Sequence, residues 1–294
     1  MKLTSIANRF RIDKPKKFRL SKHDATECCG LGIDKAEAKA MLAEGIDRLS
    51  ALQEKLYADG RWSVLVVLQA MDAAGKDSLI EHVMSGVNPQ GVDVHSFKQP
   101  SHEELAHDFL WRVAQRLPAQ GRIGIFNRSH YEEVLTVRVH PELLESQKLP
   151  KQSTGKDLWD RRFKDIRAFE RHLARNGTVV LKFFLHISKE EQKRRFLDRL
   201  EQPGKRWKFS MGDVADRKLW DKYIAAYEDA IRATSRPEAP WYVVPADHKP
   251  YARLVVAKAM IEAMEGLDLK FPKVDAAGLK EMDEVRRALL AEKD

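Results

Sequence analysis

The apolar positions of this chain form two kinds of pattern, which alternate along the sequence. Short runs rich in Val, Ile and Phe, bounded by turn residues, predict strands buried in a parallel sheet. Longer stretches with apolar residues every three or four positions predict helices. Alternation of the two predicts an α/β fold, a parallel sheet with helices on both faces. The predicted strands are 64–69, 92–97, 122–126, 178–186 and 241–245.

Capping residues mark the starts of several predicted helices. Asp34 with Glu37, and Ser101 with Glu104, have the spacing of a capping box, in which two side chains satisfy the first backbone N–H groups. Another helix is expected to start after Ser188. The predicted helices cover about 34–59, 77–87, 101–117, 158–175, a segment from 188, 214–234, 251–267 and 276–293.

Length and charge narrow the class of protein. The chain has 294 residues, of which 33% are charged, and a net charge of +8, which favours an anionic partner such as polyphosphate, nucleotide, nucleic acid or a membrane surface. No apolar run approaches the ~18 residues of a membrane-spanning helix, and the basic N-terminus lacks the apolar core of a signal peptide. The adjacent Cys28 and Cys29 lack metal-ligand spacing and predict reduced thiols in a cytoplasmic protein.

Composition divides the chain into three parts. Residues 1–33 carry lysine and arginine clusters with little periodicity and predict an extended, solvated basic arm. Residues 34–270 contain all five predicted strands and form the predicted domain. Within it, residues 188–234 add a helix, a basic loop and a second helix between the last two strands, which is more than a crossover needs and predicts a lid. Residues 271–294 predict a charged helix outside the core.

The first predicted strand leads into a candidate phosphate-binding loop. Residues 63–78 read SVLVVLQAMDAAGKDS, which is a strand, a turn of small residues with Gly-Lys, and a helix start. The first N–H groups of such a helix can hold an anion, and Lys76 adds a cation. Ala70 replaces the usual first glycine, so an ordinary strand–helix turn is the alternative. The predicted phosphate-binding and nucleotide-binding residues are Ala73, Ala74, Gly75, Lys76, Asp77 and Ser78 in this loop, together with Asn127 and Arg128 at the end of the third strand.

Two further stretches contain the other groups that phosphoryl transfer requires, namely cations and carboxylates around the transferred phosphate. The third strand ends in Asn127–Glu133, at the sheet edge where open parallel sheets bind ligands. Arg128, Glu132 and Glu133 lie in this stretch. A charge run such as Lys193–Arg195 is by itself typical of a solvated helix face. The candidate lid cations are Arg194, Arg195, Arg199, Lys205, Arg206 and Lys208.

Six ordered stretches resemble the type 2 polyphosphate kinase family. They are QAMDAAGKDS at 69–78, VNPQGV at 87–92, IFNRSHYEEVL at 125–135, LKFFLHISKEEQKRRF at 181–196, KRWKFSMGD at 205–213 and APWYVVPAD at 239–247. The resemblance implies a P-loop kinase fold akin to thymidylate kinase, with a lid. It also implies reversible, Mg²⁺-dependent phosphoryl transfer between inorganic polyphosphate and AMP, ADP or ATP, with guanine nucleotides as further candidates, by a homo-oligomer, either a dimer or a tetramer.

The resemblance also implies residue roles. Asp72 would bind Mg²⁺ and orient the acceptor phosphate, Lys76 would hold the phosphates at the transfer point, and Arg128 would clamp the nucleotide phosphate. Lid cations would line the polyphosphate path. Many family members have Asp at the position of Asn127, and because a neutral amide is a poor ligand for a hard cation, the metal role falls to Asp72.

The stretch Asn-Arg-Ser-His-Tyr-Glu resembles the subgroup of the family that phosphorylates both AMP and ADP. In that subgroup an acid at the position of Glu132 or Glu133 is the distinguishing residue. The resemblance therefore implies a dual AMP/ADP phosphotransferase with Asp72, Lys76, Arg128, Glu132 and Glu133 as catalytic residues.

Two other functions remain open at this point. An ATP-dependent nucleoside or nucleotide kinase would share the loop and the lid. A non-catalytic polyanion-binding or nucleic-acid-binding protein would explain the charge, but it would gain nothing from the acids Asp72, Glu132 and Glu133 in an anion site. RNA-recognition signatures are absent, and neither a nucleic acid nor a membrane is the expected partner. His130 and Tyr131 are expected to have structural roles.

Overall fold

A computed structural model describes residues 6–28 and 34–292 of the protein, with the side chain of Lys208 outside that part. Its centre is a five-stranded parallel sheet in the order β2–β3–β1–β4–β5. Every residue of β1 is buried, as its uninterrupted apolar run predicts. The predicted α/β fold is confirmed. The strands are β1 Ser63–Ala70, β2 Val92–Ser96, β3 Ile123–Asn127, β4 Thr178–His186 and β5 Trp241–Pro245.

Helices flank the sheet in two groups. One group contains α1, α2, α3 and α12, which pack on one another, and the other contains α6, α8 and α11. No helix within the described ranges is long and apolar enough to span a membrane. The helices are α1 Ile6–Phe10, α2 Lys35–Asp59, α3 Lys76–Val83, α4 His102–Leu105, α5 Trp111–Ala114, α6 Thr136–Val139, α7 Glu142–Glu145, α8 Leu158–Arg175, α9 Lys189–Glu201, α10 Met211–Lys218, α11 Trp220–Thr234, α12 Lys249–Glu265 and α13 Ala276–Ala291.

The N-terminal segment differs from its prediction. Ile6, Phe10 and Leu20 are buried in the main core, and the N–H of Ile12 donates to the carbonyl of Trp241 on β5 at 2.9 Å. The prediction of an extended, solvated arm is therefore wrong for the described residues of this segment. The apolar residues that pack against β5 lie between lysines and arginines, so they show no regular period. Residues 29–33, which include Cys29, and residues 1–5 lie outside the described part.

Two long predicted helices are each divided. The capping box of Ser101 and Glu104 is present, but the helix that it starts ends at Leu105, and α5 follows as a separate turn. Between them the side chain of Asp108 accepts from the N–H of Leu110 at 2.9 Å, which is a turn that competes with helix. The predicted helix 214–234 is α10 and α11, with Leu219 between them.

The sheet brings the candidate residues to one edge. Parallel strands end at the same side, and Leu68 of β1 pairs with Asn127 of β3. The N–H of Arg128 donates to the carbonyl of Leu68 at 3.0 Å, so the end of β3 is hydrogen-bonded to the strand that precedes the loop. The described lid, α9 to α11, connects β4 to β5 above the same edge. The last helix, α13, buries none of its side chains.

Candidate active site

The loop between β1 and α3 has the backbone geometry of an anion site. Ala73 and Gly75 both have positive φ, at 63° and 102°, and such left-handed residues curl successive N–H groups towards one point. Within the described ranges, the N–H groups of Gly75, Lys76, Asp77 and Ser78 donate to no protein atom. These unpaired donors at the start of α3 form a concavity suited to a phosphate.

Lys76 lies across this concavity. Its Nζ donates to the carbonyl of Ala70 at 3.2 Å. Burial lowers the pKa of this amine, the neighbouring Arg128 lowers it further, and Asp72 and Glu132 act in the opposite direction. A partly buried cation beside unpaired N–H groups attracts a phosphate more strongly than an exposed one, because less water screens the interaction.

Arg128 is held next to Lys76 by two carboxylates. Its guanidinium donates to Asp72 Oδ1 at 2.9 Å and to Glu132 Oε2 at 3.5 Å. Glu132, together with Asp72, raises the pKa of Arg128 above its ordinary value. Glu132 also accepts from the hydroxyl of Thr136 at 2.6 Å and, with the amide of Gln69 suitably oriented, from Gln69 Nε2 at 2.9 Å. The backbone of Arg128 has φ 64°, an uncommon conformation for a side chain with a Cβ, so the chain turns sharply to bring the arginine to the loop.

Two polar side chains of α3 are tied to neighbouring elements. The amide nitrogen of Asn127 donates to Asp77 Oδ1 at 2.7 Å, which joins the end of β3 to the start of α3. The hydroxyl of Ser78 accepts from Arg253 of α12 at 2.8 Å. Asn127 therefore presents a donor to Asp77, so it has a structural partner in this geometry.

Two predicted site residues lie elsewhere. Glu133 accepts from Arg162, and its Oε2 accepts from Gln147 at 2.9 Å, in a buried cluster that turns away from the loop. This also shows that the connection after residue 140 docks on the domain. Arg195 is 5% exposed and lies beneath the phosphate-binding loop, where it donates to the carbonyl of Ala74 at 2.8 Å. Glu133 packs α8 against the chain after β3, and the guanidinium of Arg195, a residue of α9, is bonded to the phosphate-binding loop.

The remaining lid cations differ in their surroundings. Arg194 is exposed and pairs with Glu191 and Asp198 on the same helix. Arg199 pairs with Asp213 of α10 at 3.4 Å, which joins the two helices of the lid. Lys205 and Arg206 lie exposed in the turn Pro203–Lys208, and the side chain of Lys208 lies outside the described part.

Sequence reasoning missed a basic cavity beside the loop. A cavity of about 610 Å³ opens between α2, α9 and α12, and Arg253 links it to Ser78 of the phosphate-binding helix. Glu191 and Asp247 are its acids. The spacing of Lys35 and Lys39 places both on one face at the start of α2, but nothing in the sequence shows which element that face meets. The cavity's cationic side chains are Lys35, Lys39, Arg194, Arg195, Lys249 and Arg253.

Asp213 was missed as well. It lies in the first turn of α10, and burial together with the charge of Asp72 raises its pKa. Arg217 of the same helix donates to Gln192 at 2.9 Å, and Gln192 donates to the carbonyl of Asp72 at 3.0 Å, so α10 lies next to the loop. Asp213 is the last residue of the motif KRWKFSMGD, so this motif contained the signal that could have identified it.

Comparison with known proteins decides the family. The model of the family described as polyphosphate kinase 2 matches residues 32–272. The chain belongs to the polyphosphate kinase 2 family. It is 49% identical over 282 residues to the ADP-polyphosphate phosphotransferase of Rhodopseudomonas palustris, covering 96% of this chain and 97% of that one. It is 48% identical to the AMP/ADP-polyphosphate phosphotransferase of Meiothermus ruber, covering 92% of this chain and 98% of that one.

A solved structure of the family has the same fold. Polyphosphate kinase 2 from Arthrobacter aurescens aligns with a TM-score of 0.88 at 41% identity, and the alignment covers 96% of each chain. The family that the six sequence motifs predicted is confirmed, and so is the predicted kinase fold.

Proposed function

We propose that this polyphosphate kinase 2 family member transfers phosphoryl groups reversibly between inorganic polyphosphate and adenine nucleotides, converting AMP to ADP and ADP to ATP. The observation that supports this most directly is the loop of unpaired N–H groups with Lys76 and Arg128 at its rim. The names of its relatives from R. palustris and M. ruber, which act on ADP and on AMP and ADP, support the substrates.

In the proposed reaction an oxygen of the nucleotide's terminal phosphate attacks the terminal phosphorus of polyphosphate, and the bridging P–O bond to the rest of the chain breaks. Lys76 and the loop N–H groups hold the transferred group, and Arg128 holds the nucleotide phosphate. Glu132 and Asp72 fix the direction of the guanidinium by their hydrogen bonds. The acceptor phosphate is already ionised near neutral pH, so no general base is required. The contribution of the protein is position and charge.

Mg²⁺ is the proposed cofactor, and the residues present fit it. This ion is usually bound by one or two carboxylates together with substrate phosphates, so a cage of three or more protein ligands is not expected. Among the described residues there is no group of three or more potential ligands. Asp72 Oδ1 accepts a hydrogen bond from Arg128, and the carboxylate lies beside Lys76, where a phosphate-bound ion would meet it. The ion would neutralise charge on the phosphates, and Asp72 would hold it.

The basic cavity favours polyphosphate over ATP as the donor. It continues from the phosphate-binding helix along α2 and α12 and carries more cations than acids. A long polyanion gains from each cation along such a path, whereas the base of ATP would not. We therefore assign Lys35, Lys39, Lys249 and Arg253 to the polyphosphate path, with Arg194, Lys205, Arg206 and Lys208 as its lid side.

The proposal includes a homo-oligomer in the cytoplasm. The exposed side chains of α13 offer an apolar surface for a second copy, and Cys28 is a free thiol, as is usual in reducing compartments. Size-exclusion chromatography with light scattering measures the assembly. Substitution of Leu289 and Met282 by Asp is the variant that would dissociate a pairing through this helix.

One assay tests the reaction. Purified protein is incubated with Mg²⁺, long-chain polyphosphate and either AMP or ADP, and the nucleotides are separated by chromatography. ADP and ATP formed from AMP would support the dual reaction, and ATP formed from ADP alone would exclude the AMP step. No product with polyphosphate, together with turnover when ATP is the donor, would favour the ATP-dependent kinase. If no product forms with either donor, only the polyanion-binding role is left.

A variant pair tests the site. Lys76→Ala removes the partly buried cation at the proposed transfer point, so we expect kcat to fall by about two orders of magnitude or more. Lys164→Ala, on the exposed face of α8, is the matched control and should leave kcat unchanged. Near-normal turnover in Lys76→Ala would refute the placement of the active site at this loop.

A further inference from the structure

Two side chains of α9 hold three successive carbonyl groups of the phosphate-binding loop. Gln192 Nε2 donates to the carbonyl of Asp72 at 3.0 Å. Arg195 Nη1 donates to the carbonyls of Ala73 and Ala74, at 3.1 and 2.8 Å. Both side chains are buried, with 1% of Gln192 and 5% of Arg195 exposed. The outer side of the loop is therefore bonded to a single helix face.

These contacts determine where the loop N–H groups point. A peptide group is planar, so the carbonyl of one residue and the N–H of the next point in opposite directions. With the carbonyls of residues 72–74 bonded to α9, the N–H groups of Ala73, Ala74 and Gly75 face away from α9, and that of Gly75 is one of the unpaired donors of the concavity. The N–H of Ala74 is not open to an anion, because it donates to the carbonyl of Met71 at 3.3 Å. The direction of the Ala73 N–H thus depends on Gln192, and that of the Gly75 N–H depends on Arg195.

Arg195 is itself fixed from two sides. Its Nε donates to Glu191 at 2.7 Å, and its Nη2 donates to the carbonyls of Ala246 and Asp247, at 2.6 and 3.0 Å, in the connection after β5. The planar guanidinium has five N–H donors in fixed directions, and here they join α9, the loop and the β5–α12 connection. A lysine at this position would keep the charge but could not reach all of these acceptors.

Gln192 is oriented by the lid. Arg217 of α10 donates to Gln192 Oε1 at 2.9 Å and to the carbonyl of Lys189 at 2.7 Å. A guanidinium has only donors, so it can bond only to the oxygen of the amide. The NH₂ group of Gln192 must then face Asp72. The placement of α10 over the site and the direction of the Asp72 peptide group are therefore linked through one amide.

We propose that Gln192 and Arg195 are positioning residues for the phosphate-binding loop, and that Arg217 transmits the docking of α10 to the loop through Gln192. The inference rests on the proposed role of the loop in binding phosphate. Its consequence is that a lid not docked through Arg217 leaves the Asp72 peptide group, and the N–H of Ala73, free to turn.

The test compares Gln192→Met with Lys193→Met. Methionine is close to glutamine in size and has no strong donor, and Lys193 is the exposed neighbour on the same helix. We measure kcat and KM with polyphosphate and ADP, the binding of tripolyphosphate by calorimetry, and the melting temperature. For Gln192→Met we expect kcat to fall by about tenfold to a hundredfold, as for other misplaced catalytic groups. Tripolyphosphate binding should weaken as well, whereas Lys193→Met should match the wild type within about twofold.

A purely structural role would lower the melting temperature and leave kcat of the folded fraction and the binding of tripolyphosphate unchanged, which would overturn the proposal. Arg195→Lys provides a second variant, with the charge retained, and is expected to lose activity like Gln192→Met. The failure of the proposed function would look different, since the wild type itself would then neither bind tripolyphosphate nor transfer phosphate to ADP.

A double-mutant cycle tests the transmission through Arg217. Arg217→Met should lower kcat by about threefold to tenfold in the wild type, because it leaves the Gln192 amide free to rotate. In the Gln192→Met background the same substitution should have no effect on kcat, since the amide is already absent. Equal and additive losses in both backgrounds would show that Arg217 acts independently of Gln192 and would overturn this part of the proposal.

Discussion

A lysine lies in the middle of the buried strand β4, and its removal should be costly. Lys182 has no exposed surface, and its Nζ donates to Glu170 Oε2 at 2.6 Å, to the hydroxyl of Tyr131 at 3.0 Å and to the carbonyl of Thr234 at 2.9 Å. Glu170 is 2% exposed and also accepts from Tyr131 at 2.7 Å. Burial alone would raise the pKa of Glu170, but attraction to Lys182 and the nearby His130 outweigh it and hold this pKa low.

The expected magnitude follows from this geometry. Lys182→Met fills the same space but leaves the Glu170 carboxylate buried without its cation, which destabilises a protein by about 3–5 kcal/mol. In Lys182→Met with Glu170→Gln, no charge is buried, and the Gln oxygen still accepts from Tyr131. We expect this double variant to recover about 2 kcal/mol or more of the free energy of unfolding that the single variant loses.

Urea denaturation followed by circular dichroism measures these free energies of unfolding. The matched control is Arg48→Met. It breaks the ion pair between Arg48 and Glu265, which is similarly short at 2.8 Å but joins side chains that are 54% and 39% exposed. Such surface pairs contribute no more than about 1 kcal/mol. The reasoning fails if Lys182→Met costs as little as this control, or if the double variant is less stable than Lys182→Met.

Three other outcomes are expected. Asp72→Asn should weaken the binding of Mn²⁺ in the presence of tripolyphosphate, measured by calorimetry, and lower kcat by about a hundredfold; unchanged Mn²⁺ affinity would remove Asp72 from the metal site. Glu132→Gln should reduce kcat/KM for AMP and ADP with little change in melting temperature, and Glu133→Gln should do the reverse, so matching effects would contradict their separate placement. Burial lowers the pKa of His186 to about 4. Because the unfolded imidazole titrates near 6.5, stability is complete above that pH and should fall by about 3 kcal/mol as the pH drops to 4; His186→Gln should lack this component in urea titrations at several pH values, and an equal slope in both proteins would exclude His186 as its source.

The sheet could be predicted because each strand of a parallel sheet is buried on both faces, so its apolar run needs no knowledge of its neighbours. The Lys182 network could not be predicted in the same way. A lysine within TVVLKFFLH is visible, but its partner Glu170 belongs to α8 and occupies an ordinary position in a charged helix. Only the packing of α8 against β4 brings the two together.

The N-terminal segment also could not be predicted, because its burial depends on distant parts of the chain. Its lysines and arginines dominate the composition, and its few apolar residues, such as Phe10 and Leu20, are too irregular to indicate a helix or a strand. Phe10 is buried because its helix, α1, packs on the last strand, β5, and on α12. The local sequence pattern cannot predict this burial, because the surface that covers the segment is formed by residues more than two hundred positions later.

The arginine pair of α9 shows which part of the site was within reach of the sequence. Arg194 and Arg195 are neighbours in a charge run, and composition treats them alike. A helix turns about 100° per residue, however, so their side chains leave it in different directions. Gln192 lies three residues before Arg195 and four before Phe196, so these three side chains lie on one side of the helix, and all three are buried. Arg194 points away from this side and is exposed, whereas Arg195 is enclosed, so the helical period separates two residues that were both predicted to be lid cations. The helical period does not show which groups accept the hydrogen bonds of this side. The buried side of most helices is apolar, but here it is polar because it packs against the carbonyl groups of the phosphate-binding loop.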